Sequence, residues 1–295
     1  MHPRLLLTAR RTTCNFHRCR LSCLRGIASD TSADVGKLRL TRFAGDLKGV
    51  VNLEMTNPKA NALSFKLVEE MEGAVRALSN DESVRAVVFT SGVPGVFCAG
   101  ADLKERASLS ESEAELFVAR LRALMSEVAS IPVPTIAAVE GAAYGGGFEL
   151  MLACDLRVVG DKAMMGLTET SLGIIPGAGG TQRLPRLIGA SKAKELIFTA
   201  RRLDAARALE LGLVGTVVCA GQAQKQAFLM TEEIAARGPL AVRAAKLAID
   251  EGLRHDLNEG MAIERRMYAR VLGTVDRKEG LEAFKEKRPP AFTGE

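Results

Sequence analysis

Several absences narrow what this chain can do. No uninterrupted apolar run reaches the roughly 18 residues that a membrane-spanning helix needs, and mean hydropathy is only +0.08, so no transmembrane segment is expected. Histidine is scarce: His2 and His17 lie in the first 29 residues, which leaves His255, beside Asp256 near a predicted helix junction. A Ser-His-Asp or Cys-His mechanism therefore has little to draw on. The cysteines, at 14, 19, 23, 98, 154 and 219, follow neither a metal-ligand nor a disulfide spacing, so no metal site is expected.

The opening segment lacks acidic residues altogether. Residues 1–29 hold six arginines, at 4, 10, 11, 18, 20 and 25, with no lysine and with Ser and Thr between them. Leu5, Leu6 and Leu7 fall on one side of a short basic helix, so residues 1–29 read as a mitochondrial transit peptide and the protein as a matrix protein. A secretory signal needs a longer apolar centre; a disordered basic arm for nucleic acid is the competing reading. Taking six arginines from 40 basic residues leaves 34 against 35 acidic ones, so residues 30–295 carry a formal charge of −1. The pI of 8.9 belongs to the leader and argues for no phosphate-binding surface on the folded part.

What remains alternates between strand and helix. With 295 residues, 47% of them hydrophobic, the chain can bury the core of one large domain or two small ones. Residues 38–54 read as two short strands around Gly45 and Asp46, and Asn57-Pro58 stops the sheet. Leu67, Met71, Ala74, Val75 and Leu78 recur at helical spacing, and residues 84–91 follow as a buried strand. Ser110 and Glu113 have capping-box spacing at the start of a long helix whose inner stripe is Phe117, Leu121, Leu124, Met125 and Val128. Prolines 132 and 134 introduce another strand, the glycines at 145–147 open a helix, and residues 156–159 return as a strand. The alternation argues an α/β domain with largely parallel pairing. From about Gly180 the pattern is helical, and apolar on more than one face, so this layer packs on the core or on neighbouring subunits.

Two glutamates stand apart from all other charge. Glu149 is the only charged residue between Glu140 and Asp155, and Glu169 the only one between Lys162 and Arg183. Burial in such apolar, glycine-rich segments disfavours the charged form and moves a carboxyl pKa up towards the operating pH. Acid/base work on a bound substrate is one reading, and two structural carboxylates bonded to backbone N–H groups is the other. Two glycine-bearing turns, at 98–102 and 141–149, follow predicted strands and can present backbone N–H groups, the second at a helix N-terminus. A donor from each is what an oxyanion hole needs, and neither turn has the Gly-Lys-Ser/Thr spacing of a P-loop.

These residues carry a resemblance that extends from residue 38 to the C-terminus. VFCAGADLKER (96–106), PTIAAVEGAAYGGGFELMLACDLRV (134–158), GLTETSLGIIPGAGGTQRLPRLIG (166–189), AKELIFTARRLDAARALELGLV (193–214) and GLEAFKEKRPPAF (280–292) are similar to the enoyl-CoA hydratase (crotonase) superfamily. The resemblance implies an α/β fold made of a spiral of ββα units over 30–220, and a helical C-terminal trimerisation region over 221–295. It implies a homotrimer, or a homohexamer built as a dimer of trimers. It puts the oxyanion donors on the N–H groups of Ala101 and Gly146 and the catalytic pair on Glu149 and Glu169. Glu149 would activate the water added to Cβ, and Glu169 would deliver the proton to Cα. The CoA part of an acyl-CoA substrate would run past Lys59, Ala60 and Asn61 and along Ala99, Gly100 and Asp102, with Lys104 and the 284–287 stretch near the adenine. No cofactor beyond the substrate's own coenzyme A is implied: no metal, flavin or nicotinamide.

The expected activity is hydration of a short or branched enoyl-CoA thioester. Within the hydratases the alternative is methylglutaconyl-CoA hydration, with or without RNA binding; isomerisation and decarboxylation are disfavoured because both carboxylates are present. Tyr144 and Phe148, aromatic neighbours of the triple glycine, are expected to narrow the acyl pocket, unless Tyr144 packs into the core. RNA binding is expected to be weak. An AU-rich-RNA-binding relative has a row of lysines on the first helix, whereas residues 64–85 here hold Lys66, Arg76 and Arg85 against Glu69, Glu70, Glu72, Asp81 and Glu82.

Overall fold

A computed structural model describes residues 29–295 apart from Lys59; the arginine-rich leader and the Lys59 contact predicted for CoA lie outside the described residues. The large sheet begins with an antiparallel meander: β1 (Ser29–Val35), β2 (Leu38–Phe43) and β3 (Val50–Met55). Gly45–Leu47 forms a 3-10 turn between β2 and β3, where the sequence predicts the break. β1 was not anticipated: its polar sequence, SDTSADV, has no apolar alternation, and it starts at Ser29, the last residue assigned to the leader.

From β4 (Ala86–Ser91) the chain repeats one pattern, a strand in the large sheet, a short strand in a second sheet, then helix. Helix α1 (Phe65–Ser79) is followed by β4, β5 (Val96–Cys98), α2 (Leu103–Ala107) and α3 (Glu111–Ala129). Next come β6 (Thr135–Val139), β7 (Ala142–Tyr144) and α4 (Gly146–Ala153), and then β8 (Leu156–Gly160), β9 (Met164–Gly166), a 3-10 turn at Glu169–Leu172 and α5 (Gly180–Ile188). The remaining elements are α6 (Ala190–Phe198), β10 (Leu203–Asp204), α7 (Ala205–Glu210), β11 (Thr216–Val218), α8 (Ala223–Ala235), α9 (Pro239–Gly252), α10 (Leu257–Val271) and α11 (Val275–Glu286). The large sheet runs β1-β2-β3-β4-β6-β8-β11, parallel from β3 onward, and the small sheet runs β10-β9-β7-β5. β10 and β11 interrupt the stretch that the sequence predicts as purely helical; at two and three residues they are too short to show a period.

Burial explains the strand composition. β4 and β6 are buried along almost their whole length, as expected of parallel strands covered on both faces. One face packs on α1, α3 and α4 through Leu67, Met71, Phe89, Phe97, Leu124, Met125 and Phe148. The other lies under α8, where Phe43 and Phe228 meet edge to face, 5.0 Å between centroids. α3 has the predicted capping box, with Ser110 and Glu113 each bonding back to the other, and the five residues of its predicted inner stripe are its buried ones. Asp256 caps α10 by accepting from the N–H groups of Asn258 and Glu259, which makes the His255-Asp256 pair a helix junction.

Asp155 fastens the C-terminal helices to this core. Its carboxylate accepts from Thr135 N–H (2.7 Å) and hydroxyl (2.9 Å) and pairs with Lys246 of α9 (2.6 Å). Removing one partner of a largely buried pair strands the other charge, which costs about 3 kcal/mol. Asp155→Ala is therefore expected to lower stability by that order in chemical denaturation, and Asp155→Ala/Lys246→Met to recover part of it. Equal losses in the single and double variants would exclude the stranded charge as the cause.

Candidate functional site

The small sheet assembles the site. β5, β7 and β9 are parallel neighbours, with Cys98 opposite Ala143 and Tyr144 opposite Gly166. The segments that follow them, at 99–101, 145–146 and 167–169, therefore leave the sheet side by side. The sequence reading placed the two glycine turns directly after the large-sheet strands β4 and β6. Instead β5 and β7 intervene, and their pairing brings the turns together.

Ala101 and Gly146 meet at this edge. Leu63 donates its N–H to Gly100 O (2.8 Å) and accepts from Asp102 N–H (3.4 Å), forming a parallel bridge with Ala101. In such a bridge the central residue spends neither its N–H nor its C=O on the partner, so the Ala101 amide points away from Leu63. Gly146 is the first residue of α4, and its N–H is one of the donors a helix leaves without an internal acceptor. The two are close: a Cβ on Gly146 would lie 3.8 Å from Ala101 N, and one on Gly100 would lie 3.3 Å from Gly146 N. Gly147 serves packing instead, since a Cβ there would overlap the Cys98 backbone.

Both glutamates line the same cavity, of about 110 Å³, with Ala99, Gly100, Ala101, Gly145 and Gly146. Its apolar side is Leu103, Val118, Leu121, Leu172, Ile174 and Ile175, with Arg106 among them. A larger groove of about 470 Å³ between Pro132 and α9 holds none of the predicted residues.

The two carboxyls are held differently. Glu149 is 3% exposed, and its Oε1 accepts from the N–H groups of Ala178 and Gly180, both 2.8 Å away. Burial raises its pKa, and these two donors, with Arg183 and Arg122, oppose the rise. The same arginines pin the loop that supplies the donors: Arg122 Nε donates to Gly177 O (3.0 Å) and Arg183 Nη1 to Ala178 O (3.0 Å). Glu169 is 8% exposed, its Oε2 has no hydrogen-bond partner, and burial pushes its pKa up to about 7. Its own backbone N–H and Arg106 act against that rise, while the charge of Glu149 adds to it.

Other predicted residues sit further from the chemistry. Asn61 is fully buried, donating to Ser91 Oγ (2.7 Å) and Phe97 O (3.0 Å), so its side chain pins a loop rather than facing the cavity. Ala60 accepts from Ala99 N–H (3.1 Å), joining that loop to the site. Asp102 caps α2 through the N–H groups of Lys104 and Glu105, and the Lys104 side chain is exposed. Phe284, 86% exposed on α11, and Lys287 lie outside the cavity lining. The expectation that Tyr144 and Phe148 narrow the pocket is corrected. Phe148 is a core residue, the Tyr144 ring lies 4.7 Å from the Arg202 guanidinium, and neither lines the cavity. Burial pushes the thiols of Cys98 and Cys154 up to about 12, which leaves them unreactive.

Known proteins match the chain over most of its length. Residues 46–295 match the enoyl-CoA hydratase/isomerase family. The chain belongs to that family. It is a crotonase-fold enzyme, 48% identical over 296 residues to mouse enoyl-CoA hydratase domain-containing protein 2, mitochondrial, with 99% of each chain covered. It is 49% identical to human methylglutaconyl-CoA hydratase, mitochondrial, over 92% of this chain and 81% of that one. A crystal structure of an enoyl-CoA hydratase from Bacillus anthracis superposes with a TM-score of 0.85 at 46% identity, covering 88% of this chain and 100% of the other. Sequence reasoning missed Ala178, Gly180, Arg122 and Arg183 as the support of Glu149; the Gly-Ala-Gly-Gly run at 177–180 was the available signal.

The raised pKa of Glu169 fixes a sign for stability. Below the ordinary value of 4.5 both folded and unfolded states hold the proton; between 4.5 and about 7 only the folded state does. Its contribution therefore falls as pH rises through that window, by at most about 1.4 kcal/mol per pH unit, and is constant above it. The Glu169→Gln variant should gain in Tm relative to the parent from pH 5 to pH 8. A pH-independent difference would show that Glu169 ionises normally.

Proposed function

We propose that the protein is a mitochondrial hydratase that adds water across the 2,3 double bond of a short or branched enoyl-CoA thioester. One observation carries this reading: two buried carboxyls, one hydrogen-bonded and one orphaned, share a cavity with the adjacent amides of Ala101 and Gly146. The thioester carbonyl gains negative charge as water adds to Cβ, and two fixed N–H donors stabilise that enolate-like state without reorganising. Glu149, its charged form supported by Ala178, Gly180 and a helix N-terminus, orients the water and takes its proton. Glu169, with its pKa near 7, keeps a proton to give to Cα. Environments that push two carboxyls apart in this way assign acid and base roles.

The CoA portion follows Ala60, Ala99, Gly100 and Asp102 towards Lys59 and Lys104, and no further cofactor takes part. Methylglutaconyl-CoA is the alternative substrate, supported by the human relative of that name. Isomerisation and decarboxylation are the less favoured reactions, because both carboxyls of the hydratase pair are present. The mitochondrial location is supported by relatives named mitochondrial and by the acid-free, arginine-rich leader. Assembly as a homotrimer or homohexamer is supported by apolar side chains left open on the C-terminal helices: Ile249, Leu253, Leu257, Met261 and Tyr268 are each more than half exposed. Weak RNA binding follows from a face without surplus charge. Arg42 pairs with Asp81 and Arg120 with Glu72, so five basic residues balance the five acids around α1, and no excess cation meets a phosphate backbone.

Purified full-length protein should hydrate crotonyl-CoA, with the loss of absorbance of the conjugated thioester as the readout. Glu149→Gln and Glu169→Gln should each lower kcat at least about 10²-fold while staying folded, the scale of a lost general acid or base. Parental turnover in either variant removes that residue from the mechanism. Residues 1–35 fused to a reporter should carry it to mitochondria, and a cytosolic or secreted reporter would refute the leader assignment.

A further inference from the structure

A formal charge of −1 over residues 30–295 conceals a segregation of charge. The stretch from α5 through α7, residues 180–210, holds seven basic residues against three acidic ones, so it carries +4 and the remainder of residues 30–295 carries −5. Its three acids are spent locally: Glu195 pairs with Arg201, Glu210 with Arg207 (2.6 Å), and Asp204 accepts from Arg207 N–H (2.7 Å) to cap α7. Arg183 is occupied at the catalytic loop. Of the other cations, Arg186 turns back on Gln182 O (2.8 Å), Arg202 lies over the Tyr144 ring, and Lys192 and Lys194 stand exposed on α6. Among the described residues none of these four forms an ion pair. A local excess of this kind sets the potential of a surface whatever the net charge.

Lys192, Arg201, Arg202 and Arg207 line one pocket of about 220 Å³, with the buried Leu196 and Leu203 at its floor. The turn that brings the two middle arginines there carries strain: Ala200 has a φ of 49°, in the left-handed region that disfavours a side chain. Ala200 N–H to Ile197 O (3.2 Å) and Arg201 N–H to Leu196 O (3.0 Å) close this turn and send Arg201 and Arg202 back beside α6. Two apolar side chains are left open on the same helices: Phe198, the last residue of α6, is 72% exposed and Leu209 of α7 is 46% exposed.

We propose that this face of α6 and α7 docks on an anionic lipid bilayer, with a lipid phosphate in the arginine-lined pocket and Phe198 and Leu209 entering the boundary between headgroups and acyl chains. Clusters of roughly four to eight cations bind anionic leaflets, and long basic side chains hold the phosphates while apolar neighbours sink below them. A soluble phosphate ester would use the pocket but neither apolar side chain, and a nucleic-acid backbone would gain nothing from Leu209. The pocket shares no lining residue with the catalytic cavity, so docking leaves that cavity's own lining uncovered.

The test uses full-length protein whose six leader arginines are changed to glutamine, which removes the leader's own attraction for anionic lipid. Co-sedimentation is measured with vesicles of phosphatidylcholine and of phosphatidylcholine mixed equally with phosphatidylglycerol. Only the anionic vesicles should be bound, and more weakly as salt rises. In that background Lys192→Gln/Arg202→Gln should lower the partition coefficient about 30-fold, on the order of fivefold for each cation, and Phe198→Ser at least about tenfold. Arg265→Gln/Lys278→Gln, the same loss of charge at exposed positions on α10 and α11, should stay near the parent value. Equal binding to both kinds of vesicle, or equal losses in the two double variants, overturns the proposal. So does binding of single-stranded RNA without binding of vesicles. Displacement by millimolar inorganic phosphate together with parental binding in Phe198→Ser would identify a site for soluble anions, which also overturns it.

Discussion

The parallel pairing of β5, β7 and β9 is the constraint on which the site depends. Each is three residues long, too short to hold itself, and each is anchored because the strand before it lies in the large sheet. Register does the rest. With Cys98 beside Ala143 and Tyr144 beside Gly166, the chain ends that leave these strands carry Ala101, Gly146 and Glu169 to one place. Ligands in α/β folds commonly gather beyond the carboxyl ends of parallel strands, and here the small sheet supplies that edge while the large sheet supplies rigidity. Gly145 N–H bonded to Gly166 O (3.0 Å) extends the β7–β9 ladder to the last residue before the helix that carries Glu149.

Burial alone would raise both carboxyls together, so the difference between them comes from hydrogen bonding. Glu149 lies against the first residues of α5, where Ala178 and Gly180 offer their N–H groups and the helix dipole favours negative charge. Glu169 lies in a 3-10 turn, beside a backbone that offers its Oε2 nothing. Arg122 and Arg183 act on Glu149 twice, through their charge and through the carbonyls by which they fix the donor loop. Such support at one remove keeps a carboxylate within the narrow range of positions that proton transfer requires. The two carboxyls thus differ by which loop each one faces.

Much of this was legible in the residues. The inner stripe of α3 and its cap follow directly from 3.6-residue periodicity and local capping chemistry, and Glu149 and Glu169 stood out because no other charge surrounds them. Three things were not legible. The short strands of the second sheet carry no period that a sequence can display, so the link from β4 to the first glycine-bearing turn was read one strand too early. The resemblance put Asn61 along the CoA path, yet its side chain is consumed by Ser91 and Phe97, 30 and 36 residues away, a long-range pairing that composition cannot reveal. The acidic count on α1 overstated its charge because the partners Arg42 and Arg120 come from β2 and α3.

Half of the departures from ordinary folding rules among the described residues fall on Glu169 and on the loop next to Ala99. Among the described residues, four that are not glycine have positive φ, and two of them, Ala60 (55°) and Asn61 (50°), are adjacent in the loop bonded to Ala99. Among the described residues four buried side-chain atoms lack partners, and Asn61 Oδ1 and Glu169 Oε2 are two of them. Each such feature costs on the order of 1–3 kcal/mol, so it persists only where the surroundings leave no cheaper arrangement. Around this site they do: Phe97 and Cys98 are fully buried, the Cys98 thiol donates to Asn61 O (3.0 Å), and Ala60 O is held by Ala99 N–H. The loop beside Ala101 is thereby fixed by the same strand, β5, that leads into it. Strain in one segment and precision in the other have a single structural cause.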